Sequence, residues 1–131
     1  MENLTFGHGI LCEDVREEAS GKFTLIGVIP GDIKADEFPL VLSLYVCFPL
    51  KYSGDKPFAS EFEFRVVGPN NRELGRGSGK IELLGGAHVQ LPIPPTEYKT
   101  PGEYKFQFRF ANSSKWRLLT AVNITSQKSH T

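Results

Sequence analysis

The chain has 131 residues with 15 basic and 15 acidic side chains, so its formal net charge is zero. This length suits one domain with a sizeable core, and 40% hydrophobic against 23% charged residues excludes a disordered or fibrous chain. No apolar run is long enough to cross a membrane, and the N-terminus lacks the basic and apolar regions of a secretory signal. We therefore expect a cytoplasmic protein with no membrane partner and, without a concentrated basic segment, no nucleic-acid partner.

The charges are unevenly distributed along the chain. Residues 1–40 hold eight acids and three bases, whereas residues 41–131 hold seven acids and twelve bases. We interpret this as two halves that interleave in the fold and neutralise each other across neighbouring strands.

Short apolar or alternating segments between turn residues predict seven to eight strands and no long helix. The third of these strands is expected to end at Pro49, and the sixth to lie at a sheet edge because Pro92 and Pro94 cannot donate ladder hydrogen bonds. A polar loop is expected over 14–21. In chain order, the predicted strands are 6–13, 22–29, 40–48, 61–66, 72–84, 87–93, 104–110 and 114–125.

Alternation is clearest in the fourth and seventh predicted strands, where charged and apolar residues occupy opposite parities and predict one buried and one solvated face. In the eighth, Trp116, Leu118, Val122 and Ile124 are expected on one face. The predicted fold class is all-β: a single immunoglobulin-like β-sandwich of seven to eight mainly antiparallel strands. It spans residues 1–125, and a flexible tail follows over 126–131.

Two segments carry resemblances. Thr100-Pro-Gly-Glu-Tyr104 resembles the entry to a late strand of immunoglobulin-like domains, which implies that the Tyr104 hydroxyl bonds back across the corner. The paired cysteines of antibody domains are absent, since Phe106 stands two residues after Tyr104. The opening, with Ile10-Leu-Cys-Glu-Asp14 and Gly21-Lys-Phe-Thr-Leu25, resembles small uncharacterised bacterial β-sandwich proteins, a family that implies no known activity.

No catalytic signature is found. The run Gly75-Arg-Gly-Ser-Gly-Lys80 suggests a phosphate loop, but it has Leu74 where the first Walker glycine belongs and Ile81 where Ser or Thr belongs. We interpret the glycines as a strand kept thin beneath aromatic side chains. The histidines and the cysteines Cys12 and Cys47 lack ligand or nucleophile spacing, so we expect no enzyme, no metal and no cofactor, and reduced cysteines that serve packing.

The second and third predicted strands are apolar on both parities, unlike the alternating ones. Either loops or the 14–21 segment cover their outer face, or that face binds a partner. The second alternative makes the protein a non-catalytic protein-interaction module that acts through a sheet face or edge strand. It would bind either a protein partner or a second copy of itself, the latter giving a homodimer. The candidate partner-binding residues are Ile26, Val28, Val41, Tyr45 and Cys47.

The alternative function is a small-ligand or carbohydrate-binding domain. Its binding residues would be aromatic side chains expected in loops, namely Tyr52, Phe58 and Tyr98.

Overall fold

A computed structural model describes residues 3–126 of the chain. These residues form an all-β sandwich of two sheets with five strands each. The total of ten strands exceeds the seven to eight predicted from the sequence. A single 3-10 turn, Pro69–Asn71, separates two of the strands. The strands are β1 (Leu4–Phe6), β2 (Ile10–Glu17), β3 (Phe23–Ile29), β4 (Asp32–Ala35), β5 (Leu40–Tyr52), β6 (Phe58–Val67), β7 (Glu73–Leu83), β8 (Gly85–Tyr98), β9 (Gly102–Phe110) and β10 (Arg117–Ser126).

The first sheet is built around β5. On one side β5 pairs with β8, and on the other it pairs with β2 through residues 45–47 and with β1 through 50–52, while β3 extends the sheet beyond β2. The second sheet has the order β4-β10-β9-β6-β7, and its β4–β10 pair is parallel whereas the others are antiparallel. Within the described residues β8 pairs with β5 alone, which confirms the predicted edge position.

Aromatic rings fill the space between the sheets. The Phe108 ring lies 5.4 Å from Phe48 and 5.1 Å from Phe62, so it joins the two sheets at the centre of the sandwich. Aromatic pairs at these centroid distances add roughly 0.5–1.5 kcal/mol beyond the area they bury. The parity pattern of the seventh predicted strand is thus confirmed, since its aromatic residues are all buried in this core.

The predicted first strand is wrong as a single element, because a glycine segment divides it into β1 and β2. The Gly7 N–H donates to the Pro49 carbonyl in the first sheet, and the Gly9 N–H donates to the Leu119 carbonyl in the second. A Cβ at Gly9 would lie 2.6 Å from that Leu119 oxygen, so only glycine allows this approach. The chain therefore touches both sheets between its first two strands.

Three further boundaries differ from the predictions. The expected loop over 14–21 shrinks to a turn at residues 18–22, and the short parallel strand β4 was not expected. β5 also continues through Pro49 to Tyr52. Pro49 lies between the stretches that pair with β2 and β1, so no neighbouring strand requires a donor from its nitrogen.

The glycine run lies in β7, as expected. Gly77 pairs with Phe64 and Gly79 with Phe62, and a Cβ at Gly77 would overlap the Phe64 ring. At Gly79 the added Cβ would come within 2.8 Å of Phe62. The glycines therefore leave room for aromatic side chains of the neighbouring strand, which confirms the strand interpretation.

The last strand changes parity at a β-bulge between Leu118 and Thr120. As a result Leu119 enters the core with Val122, whereas Leu118 is 53% exposed and Trp116 lies outside the core. The prediction of one shared face is therefore wrong for Trp116 and Leu118. Ser126 is the last residue of this strand, and residues 127–131 of the tail predicted over 126–131 lie outside the described residues.

The Tyr104 corner is confirmed. Its hydroxyl donates to the Thr100 carbonyl at 2.6 Å, and its ring packs edge-on against Tyr98 with centroids 4.8 Å apart. This bond fixes the entry into β9, although the strand order itself does not establish an immunoglobulin topology.

Candidate functional site

The outer face of the first sheet carries the residues that the sequence selected as partner-binding. Val28, Cys12 and Tyr45 are cross-strand neighbours on β3, β2 and β5, and therefore share one face. Val41 lies four residues before Tyr45 on the same parity, about 13 Å along the strand. Val28 is 52% exposed, Val41 56% and Ile26 36%.

Cys47 does not belong to this exposed surface, and its assignment as a contact residue is corrected. Its side chain is fully buried, as is that of Cys12, and the two Sγ atoms lie 4.0 Å apart without a bond. Burial, reinforced by the neighbouring Cys12, raises the pKa of the Cys47 thiol to about 12. Both thiols therefore stay protonated and behave as packing groups.

The cover over Cys47 comes from the β2–β3 hairpin. The Phe23 ring, near the start of β3, stacks on His88 of β8 with centroids 5.6 Å apart. His88 pairs with Pro49 and alternates with the buried Val89, so it lies on the outer face. The far end of the hairpin thus crosses over β5 to reach the strand beyond it. Part of the face is covered, as the first alternative expected, but Val28 and Val41 stay exposed.

Carboxylates border the exposed part of this face. Asp14 is the cross-strand partner of Ile26 and Glu97 is the partner of Val41, so both carboxylates lie on the same face as these side chains. Arg16, two residues after Asp14, lies on this face as well. None of the three makes an ion pair with any other described residue. The border of the exposed apolar surface therefore carries two carboxylates and one guanidinium that are not paired with one another.

The outer face of the second sheet is organised differently, around Trp116. Three guanidinium groups approach its ring, those of Arg65 at 4.1 Å, Arg109 at 4.3 Å and Arg76 at 5.1 Å from the centroid. Glu63 accepts hydrogen bonds from Arg109 and Arg76, and these bonds lower the pKa of its carboxyl. Cations over an indole face are attracted by its quadrupole. Sequence reasoning missed this cluster because it placed Trp116 in the core, although the charged parity of β6 and β9 was visible.

A cavity of about 720 Å³ opens beside this cluster, under the segment that connects β9 to β10. Its apolar lining consists of the partly exposed Leu4 and Phe6 and the buried rings of Phe108 and Phe110, and its rim includes Lys115 and Arg117. The Arg117 guanidinium lies 4.3 Å from the Phe6 ring centroid. Among the described residues, no carboxylate lines this cavity.

The aromatic residues proposed for ligand binding are not exposed loop residues. Tyr98 lies in β8 and is fully buried, and this burial raises the pKa of its phenol to about 12. The Tyr52 ring packs against Phe58 at 5.5 Å, and Phe58 packs against Phe110 at 5.2 Å. All three therefore contribute to packing, and their assignment to loops is wrong.

Two other kinds of site were sought in the part of the chain that the structure describes. It contains no group of three or more His, Cys, Asp or Glu side chains placed to hold a metal ion. It also contains no helix that is long and apolar enough to cross a bilayer.

A family model matches residues 8–123, nearly the whole sandwich, and its description is a family of unknown function, DUF6941. The chain belongs to this family. No curated protein matches its sequence.

Solved structures resemble the fold. A β-glucosidase from Listeria innocua in complex with gluconolactone superposes with a TM-score of 0.51 at 11% sequence identity, covering 91% of this chain and 16% of the glucosidase chain. The glucose complex of β-glucosidase from the same organism gives 0.50 at 10% identity, covering 93% and 16%. This chain therefore spans about a sixth of those proteins, and the likeness concerns the fold alone.

Proposed function

We propose that this family member is a non-catalytic protein-interaction module that acts through the outer face of its first sheet. The surface concerned, here called the open face, consists of Ile26, Val28 and Val41. The carrying observation is the concentration of exposed apolar side chains around it. Of the seven large hydrophobic residues exposed among the described ones, four lie on β2, β3 or β5 with the parity of the outer face: Ile10, Ile26, Val28 and Val41. Phe23 has the opposite parity and stacks on His88.

Apolar patches of this kind are costly in water unless a partner covers them. The other two exposed hydrophobic residues, Leu84 and Leu118, lie apart on the β7–β8 connection and on β10. Single exposed leucines are ordinary, whereas a group on neighbouring strands supports an interface.

An unpaired backbone edge adjoins the open face. On the side of β5 that pairs with β2 and β1, ladder pairing covers only residues 45–47 and 50–52, so 40–44 have a strand neighbour only in β8. Val41 belongs to this stretch. An extended segment of a partner could add to such an edge through main-chain hydrogen bonds while its side chains meet the apolar face.

The two border carboxylates select the partner's chemistry. Asp14 and Glu97 make no ion pair with other described residues, so an apolar surface with Lys or Arg opposite these two carboxylates is complementary to the open face. A symmetric dimer through this face would bring the same carboxylates towards one another. We therefore propose a different protein as the partner, acting in the cytoplasm, rather than a second copy.

The test is photo-crosslinking, with one photoreactive residue per variant, in cells that naturally produce the protein. A photoreactive residue is introduced at Val28 or Val41, with Leu118 and Leu84 as controls of comparable exposure. We expect Val28 and Val41 to give one shared adduct that weakens as salt is raised, because the border charges assist binding.

Adducts of equal yield from the two leucine positions would refute a specific open face. Adducts between two copies of this chain would instead show self-association and refute the heterologous partner.

A further inference from the structure

The cavity beneath the β9–β10 connection has features of a ligand site that the proposed interaction does not use. Its volume of about 720 Å³ lies within the range of small-molecule pockets. It combines an apolar lining, in which Leu4 and Phe6 are partly exposed, with a cationic rim. Such a pairing of an apolar body and a few placed polar groups is what orients a bound small molecule.

The positive charge at the rim is only partly compensated. Arg109 is bound by Glu63, with Nη2 to Oε1 at 2.9 Å. Lys115 and Arg117 make no ion pair and no side-chain hydrogen bond with other described residues. Two cations are thus available to an incoming anion.

Arg117 is already oriented for this task. Its guanidinium lies over the Phe6 ring, and its N–H donors make no hydrogen bond to the side chain of another described residue. A planar guanidinium can bind a carboxylate through two parallel hydrogen bonds. The carboxylate would then lie at the rim, with the rest of the ligand against the half-buried Leu4, Phe6 and Trp116 in the cavity lining.

The Trp116 cluster holds the wall of this cavity in place. Trp116 lines the cavity while Arg65 and Arg109 approach its indole ring, so its position is set from the second sheet rather than by a ligand. The segment before it is also tied down, because the Ser113 N–H donates to the Phe110 carbonyl at 3.0 Å. A preformed wall reduces the ordering cost of binding.

The cavity at the opposite end of the sandwich provides a contrast. It is about as large, at 820 Å³, but its lining contains Glu73 and Glu97 as well as Arg72 and Lys99, so the formal charges of the lining sum to zero. Of these two large cavities only the one beneath the β9–β10 connection favours an anion.

The geometry points to a binding site for a carboxylate that is attached to an apolar body, with Arg117 and Lys115 binding the carboxylate. A small organic acid and the C-terminus of a polypeptide with an apolar last residue share this chemistry. Trp116 is the chain's one tryptophan, so its fluorescence reports on this cavity directly.

The experiment titrates 3-phenylpropionate into the whole protein and compares it with the neutral 3-phenylpropionamide. We expect saturable quenching or enhancement of Trp116 fluorescence with the acid, binding at least tenfold weaker for the amide, and weaker binding of the acid at high salt. Equal binding of acid and amide, or no saturation by the acid up to tens of millimolar, would overturn the site.

Matched variants locate the binding. Arg117→Gln should weaken binding of the acid at least tenfold, and Lys115→Gln, outside the paired strands, should weaken it less, while Arg72→Gln at the opposite cavity should leave it unchanged. Equal affinities of Arg117→Gln, Lys115→Gln and Arg72→Gln would refute the assignment. Lys115→Gln keeps the test decisive if Arg117→Gln fails to fold.

A tripeptide that ends in phenylalanine, with a free or an amidated C-terminus, distinguishes the two sources of the carboxylate, a small organic acid and a polypeptide C-terminus. Tighter binding of the free peptide than of phenylpropionate would assign the site to a polypeptide end, and the reverse order to a small organic acid. Equal binding of the free and amidated peptides would contradict carboxylate recognition.

Discussion

The two outer faces of the sandwich differ in how far their side chains satisfy one another. On the second sheet, Arg65, Arg76 and Arg109 share Trp116 and are matched by Glu63 and Glu73. On the first sheet, apolar side chains stay exposed beside carboxylates that make no ion pair with other described residues. Side chains that pair with one another across a face stabilise the fold. Apolar side chains that stay exposed to water are stabilised only when a partner covers them.

Raising the pH should test the buried Cys47 thiol beneath the hairpin and the buried Tyr98 phenol in the core, and it has the largest expected effect. Burial raises the pKa of Cys47 from its ordinary 9.0 to about 12 and that of Tyr98 from 10.0 to about 12. Between these values the unfolded chain loses protons that the folded chain keeps, so the free energy of unfolding falls as pH rises. Each group contributes a slope of at most about 1.4 kcal/mol per pH unit.

Chemical denaturation measured from pH 8 to pH 12 checks this prediction. Tyr98→Phe and Cys47→Ala should each reduce the fall in the free energy of unfolding between pH 8 and pH 12, whatever their effect on its value at pH 8. A decline that is unaltered in both variants would show that other groups are responsible.

Gly77→Ala should be the most destabilising of the single substitutions on the second sheet. The new Cβ would overlap the Phe64 ring, and forced repacking of this kind costs about 1–3 kcal/mol. Gly75→Ala is the control, because nothing lies within 4 Å of its added Cβ. Equal unfolding midpoints in urea for the two variants would show that the glycines do not accommodate the aromatic rings.

Trp116→Ala should cost about 1–2 kcal/mol through the loss of its two nearest cation–π contacts, with Arg65 and Arg109, each of which is worth about 0.5–1 kcal/mol at exposed sites. Leu118→Ala, at an exposed neighbouring position, should change the free energy of unfolding by less than about 0.5 kcal/mol. Thermal unfolding of both variants measures the difference. If Trp116→Ala leaves the free energy of unfolding unchanged, the arginine–glutamate pairs stabilise this face without the indole ring.

Val28→Ser and Val41→Ser should have the smallest effects on stability. Both side chains are more than half exposed, so each change should alter the free energy of unfolding by no more than about 0.5 kcal/mol. Urea denaturation of the double variant checks this. A loss of several kcal/mol would show that these valines support the fold and would undermine the comparison between the faces.

Local patterning made part of this molecule predictable. The aromatic ridge of β9, the thin glycine strand β7 and the Tyr104 corner all follow from contacts between close or paired residues. Apolar residues on both parities also marked the first sheet as unusual. In each case the information lies within a few residues of the chain.

The remainder depended on tertiary contacts. The division at Gly7–Gly9 follows from approach to Leu119, more than a hundred residues away, and the bulge after Leu118 moved Trp116 out of the predicted core. The hairpin that buries Cys47 bends across β5 without any sequence signal of that bend. The cavity could not be anticipated either, because β1 and the β9–β10 connection meet only in the fold.

The central claim is that the open face binds a protein partner. Its most direct test measures the affinity of two double variants for the partner identified by crosslinking. Val28→Ser with Val41→Ser changes the open face, and Leu84→Ser with Leu118→Ser removes a similar exposed apolar area elsewhere. We predict that the first pair reduces partner affinity at least tenfold at unchanged melting temperature, whereas the second pair leaves affinity unchanged. Equal affinities for the two double variants would contradict the assignment of function to the open face.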